Sequence, residues 1–355
     1  MSASAASSNT PTAQKLLLDC DTGIDDTLAL LYLLAHPSVE LAAVLSTAGN
    51  VPVAEVDANN RALLELCGRD DIEVCRGADG PLAIELRTCE DTHGPYGLGY
   101  ADRPASTAPS AGRPDRDAAD AWIEITRDRP GELVGLVVGP CTNLALAIRR
   151  DPDLPTRLKR LVIMGGSFVH PGNTTPVAEW NVLVDPEAAH EVFTAFGTDG
   201  APQPIVCGLQ LTEQIAFTPE HLTRLAELAG STPIELATAE DDHGRRSVSD
   251  NRVIALLTDA LRFYFEFHHS VGEGYRAHVH DPFAAAVAID PGIVQTRPAV
   301  VDVELDGSLT RGMTVADEGG FWGRPANAQI ADRTDVDAFF DDLLSRLATL
   351  ARRIG

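Results

Sequence analysis

The sequence predicts an α/β fold, a single domain with a mainly parallel central sheet flanked by helices and a helical cap region. Three observations carry that reading. Short leucine-rich or β-branched runs alternate with stretches of helical periodicity through the first two-thirds of the chain. The composition, 44% hydrophobic and 23% charged over 355 residues, supplies a large core and is too apolar for a disordered chain. No Pro/Gly/Ser-rich linker divides the chain, although its length exceeds the ~150 residues of an average domain.

The elements follow in order. Residues 15–20 (KLLLDC) read as a buried strand, and 25–35 carry apolar residues at helical spacing. A second strand is expected at 39–46 (VELAAVLS), a helix at 53–66 and a short strand at 72–75. Residues 77–116 show little regular pattern and many Gly, Pro, Asp and Arg, as functional loops often do. Helix 117–127, strand 133–138, helix 142–149 and strand 161–164 continue the alternation, followed by helix 186–196 and strand 205–207. Residues 213–274 read as a largely helical insertion or cap. Late strands at 300–304 and 329–330 precede an amphipathic helix over 335–353.

Charge excludes two classes of partner. Asp and Glu number 52 against 28 Lys and Arg, a net charge of -24. Such an excess repels phosphate backbones and anionic membrane surfaces, so neither nucleic acid nor a membrane is expected as a partner. No apolar run approaches the ~20 residues of a membrane span. Residues 1–14, rich in Ser, Ala and Thr, lack the basic and apolar regions of a secretory signal and read as a disordered tail. Six scattered cysteines without a CxxC pair read as reduced core residues, and the cytoplasm is the expected compartment.

The segment LLLDCDTGIDDTLA, residues 16–29, carries the chemistry. A buried strand runs into Asp19 and Asp21, then a glycine turn, then Asp25 and Asp26 at the start of a helix. Ligands bind at the carboxyl ends of strands in such sheets. Four carboxylates crowded there are unfavourable unless a cation neutralises them, and an all-oxygen set favours a hard ion such as Ca²⁺ or Mg²⁺. Taken singly, each Asp would read as a cap or a helix-dipole partner.

Two families fit a strand followed by DxD. Haloacid-dehalogenase phosphatases would make Asp19 a nucleophile with Mg²⁺, but they usually carry Thr or Val where Gly23 stands. The segment Asp19-Cys20-Asp21-Thr22-Gly23-Ile24-Asp25-Asp26 instead matches the DxDxGxDD signature of the nucleoside hydrolases, with Thr22 at the family's usual Pro. The resemblance continues in order along about residues 15–350: Gly49-Asn50, Gly139-Pro140-Cys141-Thr142-Asn143-Leu144, Met164-Gly165-Gly166, Gly172-Asn173, Ala178-Glu179-Trp180-Asn181, Asp185-Pro186-Glu187-Ala188-Ala189 and His280-Asp281-Pro282.

The resemblance implies a Rossmann-like nucleoside hydrolase domain over residues 15–355 and Ca²⁺-dependent hydrolysis of ribonucleosides to ribose and free base. Asp21, Asp26, Asp281 and the Thr142 carbonyl would hold one Ca²⁺, with Asp21 as general base. Asp25, Asn50 and Asn181 would hold the ribose hydroxyls, and Asn173 and Glu179 the 5′-hydroxyl. His280 is the expected proton donor to the leaving base, and the pair His280-Asp281, followed by an apolar run, is expected to stand exposed at a helix start facing a cleft. His93, in a segment resembling the family's mobile active-site loop, is a weaker candidate, an exposed loop histidine being the other reading. His280 suits the non-specific and pyrimidine-leaning members, and His278 would face the same side in an extended segment. Phe168, Trp180, Tyr264 and Tyr275 are candidate base-stacking residues. The family is commonly dimeric or tetrameric, so a homo-oligomer is expected. A non-catalytic nucleoside-binding protein is the remaining alternative, though a pure binder has no use for a water-activating aspartate.

Overall fold

The structure, a computed structural model, describes residues 13–105 and 116–355. The expected tail falls outside them apart from Ala13 and Gln14, and Gln14 already belongs to the first strand.

The first half alternates as expected. β1 (Gln14–Cys20) leads to α1 (Ile24–Ala35), β2 (Val39–Ser46), α2 (Val53–Leu66) and β3 (Val74–Arg76). A short α3 (Glu90–His93) sits inside the long irregular stretch. Then come α4 (Ala118–Asp128), β4 (Val134–Val137), α5 (Thr142–Arg150), α6 (Leu154–Arg157) and β5 (Arg160–Met164). α7 (Trp180–Val184), α8 (Pro186–Phe196), β6 (Ile205–Cys207), α9 (Leu209–Thr212) and β7 (Ala216–Phe217) follow. α10 (Pro219–Ala229), α11 (Arg252–Ser270), β8 (Ala277–His278) and α12 (His280–Ile289) lead to β9 (Val294–Val303), β10 (Thr314–Asp317), β11 (Ala328–Thr334) and α13 (Val336–Ile354).

Among the described residues the main sheet has nine strands in the order β10-β9-β11-β6-β5-β4-β1-β2-β3. The run from β3 to β6 and on to β11 is parallel, and β9 pairs antiparallel with both β11 and β10. The order 3-2-1-4-5-6 is that of a doubly wound sheet, whose strand order reverses between β1 and β4. Loops leaving the carboxyl ends of β1 and β4 therefore open onto one crevice, and they carry Asp21 and Thr142.

Alternation along β1 sorts its side chains between two cores. Leu16, Leu18 and Cys20 join a core built with α1, α10, α11, α12 and α13, whereas Leu17 joins α4, α5 and α8 on the other face. All six cysteines are buried and free.

Three expectations on elements need correction. Residues 213–274 are not largely helical: α10 and α11 are separated by 230–251, which hold no regular element. Nor do the two helices form a detached cap, since they share the first core with α1 and α13. The late strands are longer than expected and include β10, whose polar TVAD sequence gave no strand signal.

Candidate active site

Asp19 and Asp21 fall on opposite sides of the turn after β1. Asp19 accepts hydrogen bonds from Trp122 Nε1 (2.8 Å), Asn143 Nδ2 (3.0 Å) and Thr47 Oγ1. Both its oxygens are thereby used, and burial raises its pKa to about 6. The expected crowd of four carboxylates is thus reduced to three from this segment, because Asp19 holds β1, β2, α4 and α5 together instead.

Asp21 is fully buried. Its Oδ2 accepts from the Asn50 N–H (2.8 Å), and its Oδ1 has no partner. Gly49 and Gly139 leave room for it: a Cβ on either would collide with the Asp21 carboxyl. Asp26 accepts from the N–H groups of Asp21 (3.2 Å) and Gly23 (2.8 Å) and from Asn50 Nδ2 (3.1 Å). Asp281 enters on the first turn of α12 and meets the Asp26 carboxyl. Asp25 faces the backbone N–H groups of His280 and Asp281 at that same helix start.

Carboxyl oxygens of Asp25, Asp26 and Asp281 lie within 4.8 Å of one another, all buried. This geometric trio contains Asp25, where the sequence reading placed Asp21. Asp21 completes the cluster from below. Burial is the first cause raising the pKa of every member: Asp25 to about 8, Asp21 and Asp281 well above the ordinary range, Asp26 in the same direction. Mutual repulsion adds to it for Asp21, Asp25 and Asp281. An orphaned buried oxygen among repelling carboxyls fits a bound divalent cation.

Above the cluster opens a cavity of about 230 Å³. Asp25, Asn50, His93, Asn173, Glu179, Asn181, His280 and Asp281 line it, so the structure brings eight expected site residues together. Asp21, Asp26 and Thr142 are buried and do not line it. Thr142 opens α5, and its Oγ1 donates to Asp185 (2.7 Å).

The polar walls are pre-positioned. Glu179 caps α7, accepting from Asn181 N (2.8 Å), Val182 N (3.1 Å) and Gly166 N (2.9 Å). Asn181 Nδ2 donates to the Val138 and Met164 carbonyls at 2.9 and 3.2 Å, leaving its Oδ1 for a ligand. Asn173 sits exposed at the rim, its Oδ1 accepting from Trp180 N (3.0 Å).

Two histidines differ from expectation. His93, which the loop reading allowed to be solvent-exposed, is buried at the end of α3, and its Nδ1 accepts from Ile24 N (3.1 Å). Burial pushes its pKa down to about 3. The pair His280-Asp281, expected to be exposed, is half-buried and buried respectively. Burial, then the neighbouring His278, keeps His280 neutral. Its Nδ1 lies 2.8 Å from Thr212 Oγ1, which leaves Nε2 for a ligand.

Of the stacking candidates, Trp180 and Tyr264 line the cavity. Phe168 is packed in the second core and Tyr275 packs on Phe265, so neither reaches it. Phe267, His268, Glu273 and Glu213 line the cavity without having been singled out, and His278 joins them. Tyr264, Phe267 and His268 stand at i, i+3 and i+4 on α11, a spacing that could have revealed their shared face.

The family model described as inosine-uridine preferring nucleoside hydrolase matches residues 16–341. The chain belongs to that family. Its relatives include the inosine-uridine preferring nucleoside hydrolase of Crithidia fasciculata, 33% identical over 96% of this chain and 98% of that protein. The pyrimidine-specific ribonucleoside hydrolase RihA of Shewanella sp. (strain ANA-3) is 34% identical over 95% and 96%. Among solved structures, a purine-preferring ribonucleoside hydrolase from Gardnerella vaginalis superposes with a TM-score of 0.83 at 28% identity, covering 96% of this chain and 99% of that one. This nucleoside hydrolase chain is accordingly an enzyme, a hydrolase of N-glycosidic bonds. The saturated Asp19 disfavours the phosphatase alternative, which required a free nucleophile there.

Proposed function

We propose that this enzyme hydrolyses ribonucleosides to ribose and free base with one Ca²⁺ held by Asp21, Asp26, Asp281 and the Thr142 carbonyl. The observation that carries this reading is the partnerless, buried Oδ1 of Asp21 beside the Asp25–Asp26–Asp281 trio. A bound cation would bring those carboxyls back into the ionised range and lower the pKa of water beside them.

Asp21 then takes the proton from the attacking water, whose oxygen bonds to the anomeric carbon as the carbon–nitrogen bond breaks. Asp25, fixed by the start of α12, and Asn50, fixed by Asp26, hold the ribose hydroxyls together with the free Oδ1 of Asn181. Asn173, at the rim, and the buried Glu179 take the 5′-hydroxyl. The acidic surroundings favour positive charge developing on the sugar. His280 directs Nε2 at the departing base; in the nucleoside complex, beside the acidic cluster, it takes up a proton from solvent and passes it to the leaving nitrogen, with His93 on the adjoining wall. Selection of ribose over deoxyribose follows from the hydrogen-bonding groups committed to the 2′-hydroxyl. The buried thiols accord with a reducing compartment, the cytoplasm, and we infer a homodimer or homotetramer by family analogy.

A reducing-sugar assay over a panel of purine and pyrimidine nucleosides, with and without chelator, tests the reading. Ribose release that chelator abolishes and Ca²⁺ restores is expected. Nucleoside binding without turnover would overturn it in favour of a binding protein.

A further inference from the structure

We propose that His268, Glu273 and His278 form a second cation site, for a zinc-class divalent ion, on the cavity wall away from the aspartate cluster. The three residues come from the last turn of α11, the loop after it and β8. Glu273 Oε2 lies 3.2 Å from His278 Nε2 and 3.8 Å from His268 Nε2, and all three donor atoms fall within 4.8 Å of one another. Ligands of a tetrahedral zinc stand about 3.4 Å apart, given Zn–N and Zn–O distances near 2.1 Å. Small rotamer adjustments therefore suffice to close the set.

Hydrogen bonding fixes the chemistry of the set. His268 Nδ1 lies 2.9 Å from the Tyr264 backbone carbonyl, which can only accept, so this nitrogen carries the proton. Its Nε2 is left with a lone pair aimed toward the Glu273 carboxylate, another acceptor. A backbone carbonyl behind a ligating imidazole is the usual support for a metal-bound histidine. His278 Nδ1 is buried without a partner, and its other nitrogen is the one turned to Glu273.

Two imidazoles and one carboxylate suit a borderline-soft ion and disfavour Ca²⁺, which takes oxygen ligands. The two sites therefore select different cations. Glu273 is half exposed, with its side chain at 53% of full accessibility, which opens a path from solvent. All three residues also line the cavity, so the remaining coordination position faces it.

Isothermal titration of the full chain with Zn²⁺ in millimolar Ca²⁺ tests the site, with visible absorption of Co²⁺ as a second readout. One equivalent of Zn²⁺ and tetrahedral Co²⁺ bands are expected. His278→Ala and Glu273→Gln should each weaken binding at least about tenfold, while Asp26→Asn leaves it unchanged. Circular dichroism checks that the variants fold, and Glu273→Gln, at a half-exposed position, keeps the test sound if His278→Ala does not. No uptake in the presence of Ca²⁺ would overturn the proposal. So would undiminished binding in folded His278→Ala or Glu273→Gln, or a loss in Asp26→Asn that matches theirs.

Discussion

Asp19 spends both carboxylate oxygens on Thr47, Asn143 and Trp122, whereas Asp21 keeps Oδ1 free. Substitution should separate the two roles. Asp21→Ala should lower kcat for inosine and uridine by about 10³-fold, the scale of a lost general base, with an unchanged circular dichroism spectrum. Asp19→Ala should instead cost about 2 kcal/mol of stability in urea unfolding, because it removes a buried acceptor on which Trp122, Thr47 and Asn143 converge. The DxD spacing made both aspartates visible in the sequence. Their division of labour was not legible, because Trp122 and Asn143 approach from distant helices. His93 gives a pH prediction. Its folded pKa, near 3, is below the unfolded value of about 6.5. The unfolded state binds the extra proton between those values, so stability present above pH 6.5 is lost as pH falls toward 3. His93→Asn should flatten that part of the Tm-against-pH curve.

Among elements, α7 and α8 show how caps place the site. Asp185 caps α8 through Ala188 N (3.1 Å), accepts from Leu82 N (2.9 Å), and receives the Thr142 hydroxyl. Asp185→Ala should therefore lower stability by about 2 kcal/mol in chemical denaturation, the cost of a lost buried network rather than of one surface bond. The elements from β1 to α2, and α8 and β6, were legible because an apolar strand and an amphipathic helix each leave a period in the sequence. The stretch after α10 was not. Ion pairs such as Arg262 with Asp241 (2.5 Å) organise residues 230–251, and such contacts leave no period. β10 is held by pairing with β9 and by no pattern of its own.

At the scale of the whole molecule, net charge and site agree. An enzyme carrying -24, with Glu179 buried beside the proposed 5′-hydroxyl position, disfavours a phosphate there. The kcat/KM for uridine should exceed that for uridine 5′-monophosphate by at least about 10²-fold, a preference for the uncharged form that side-by-side assays can measure. Among the described residues no helix is long and apolar enough to cross a membrane.

Asp281 reaches the aspartate cluster from α12, long after β1 and α1 in chain order, with most of the sheet laid down between them. During synthesis, a chain emerging from the ribosome can pair β1, β2 and β4 and bury the first carboxyls well before the last one arrives. Until α12 emerges, the cluster lacks a wall and the nucleoside has no complete seat. A chain that lacks α12 therefore lacks both the Asp281 carboxyl and the His280 ring that the proposed site requires.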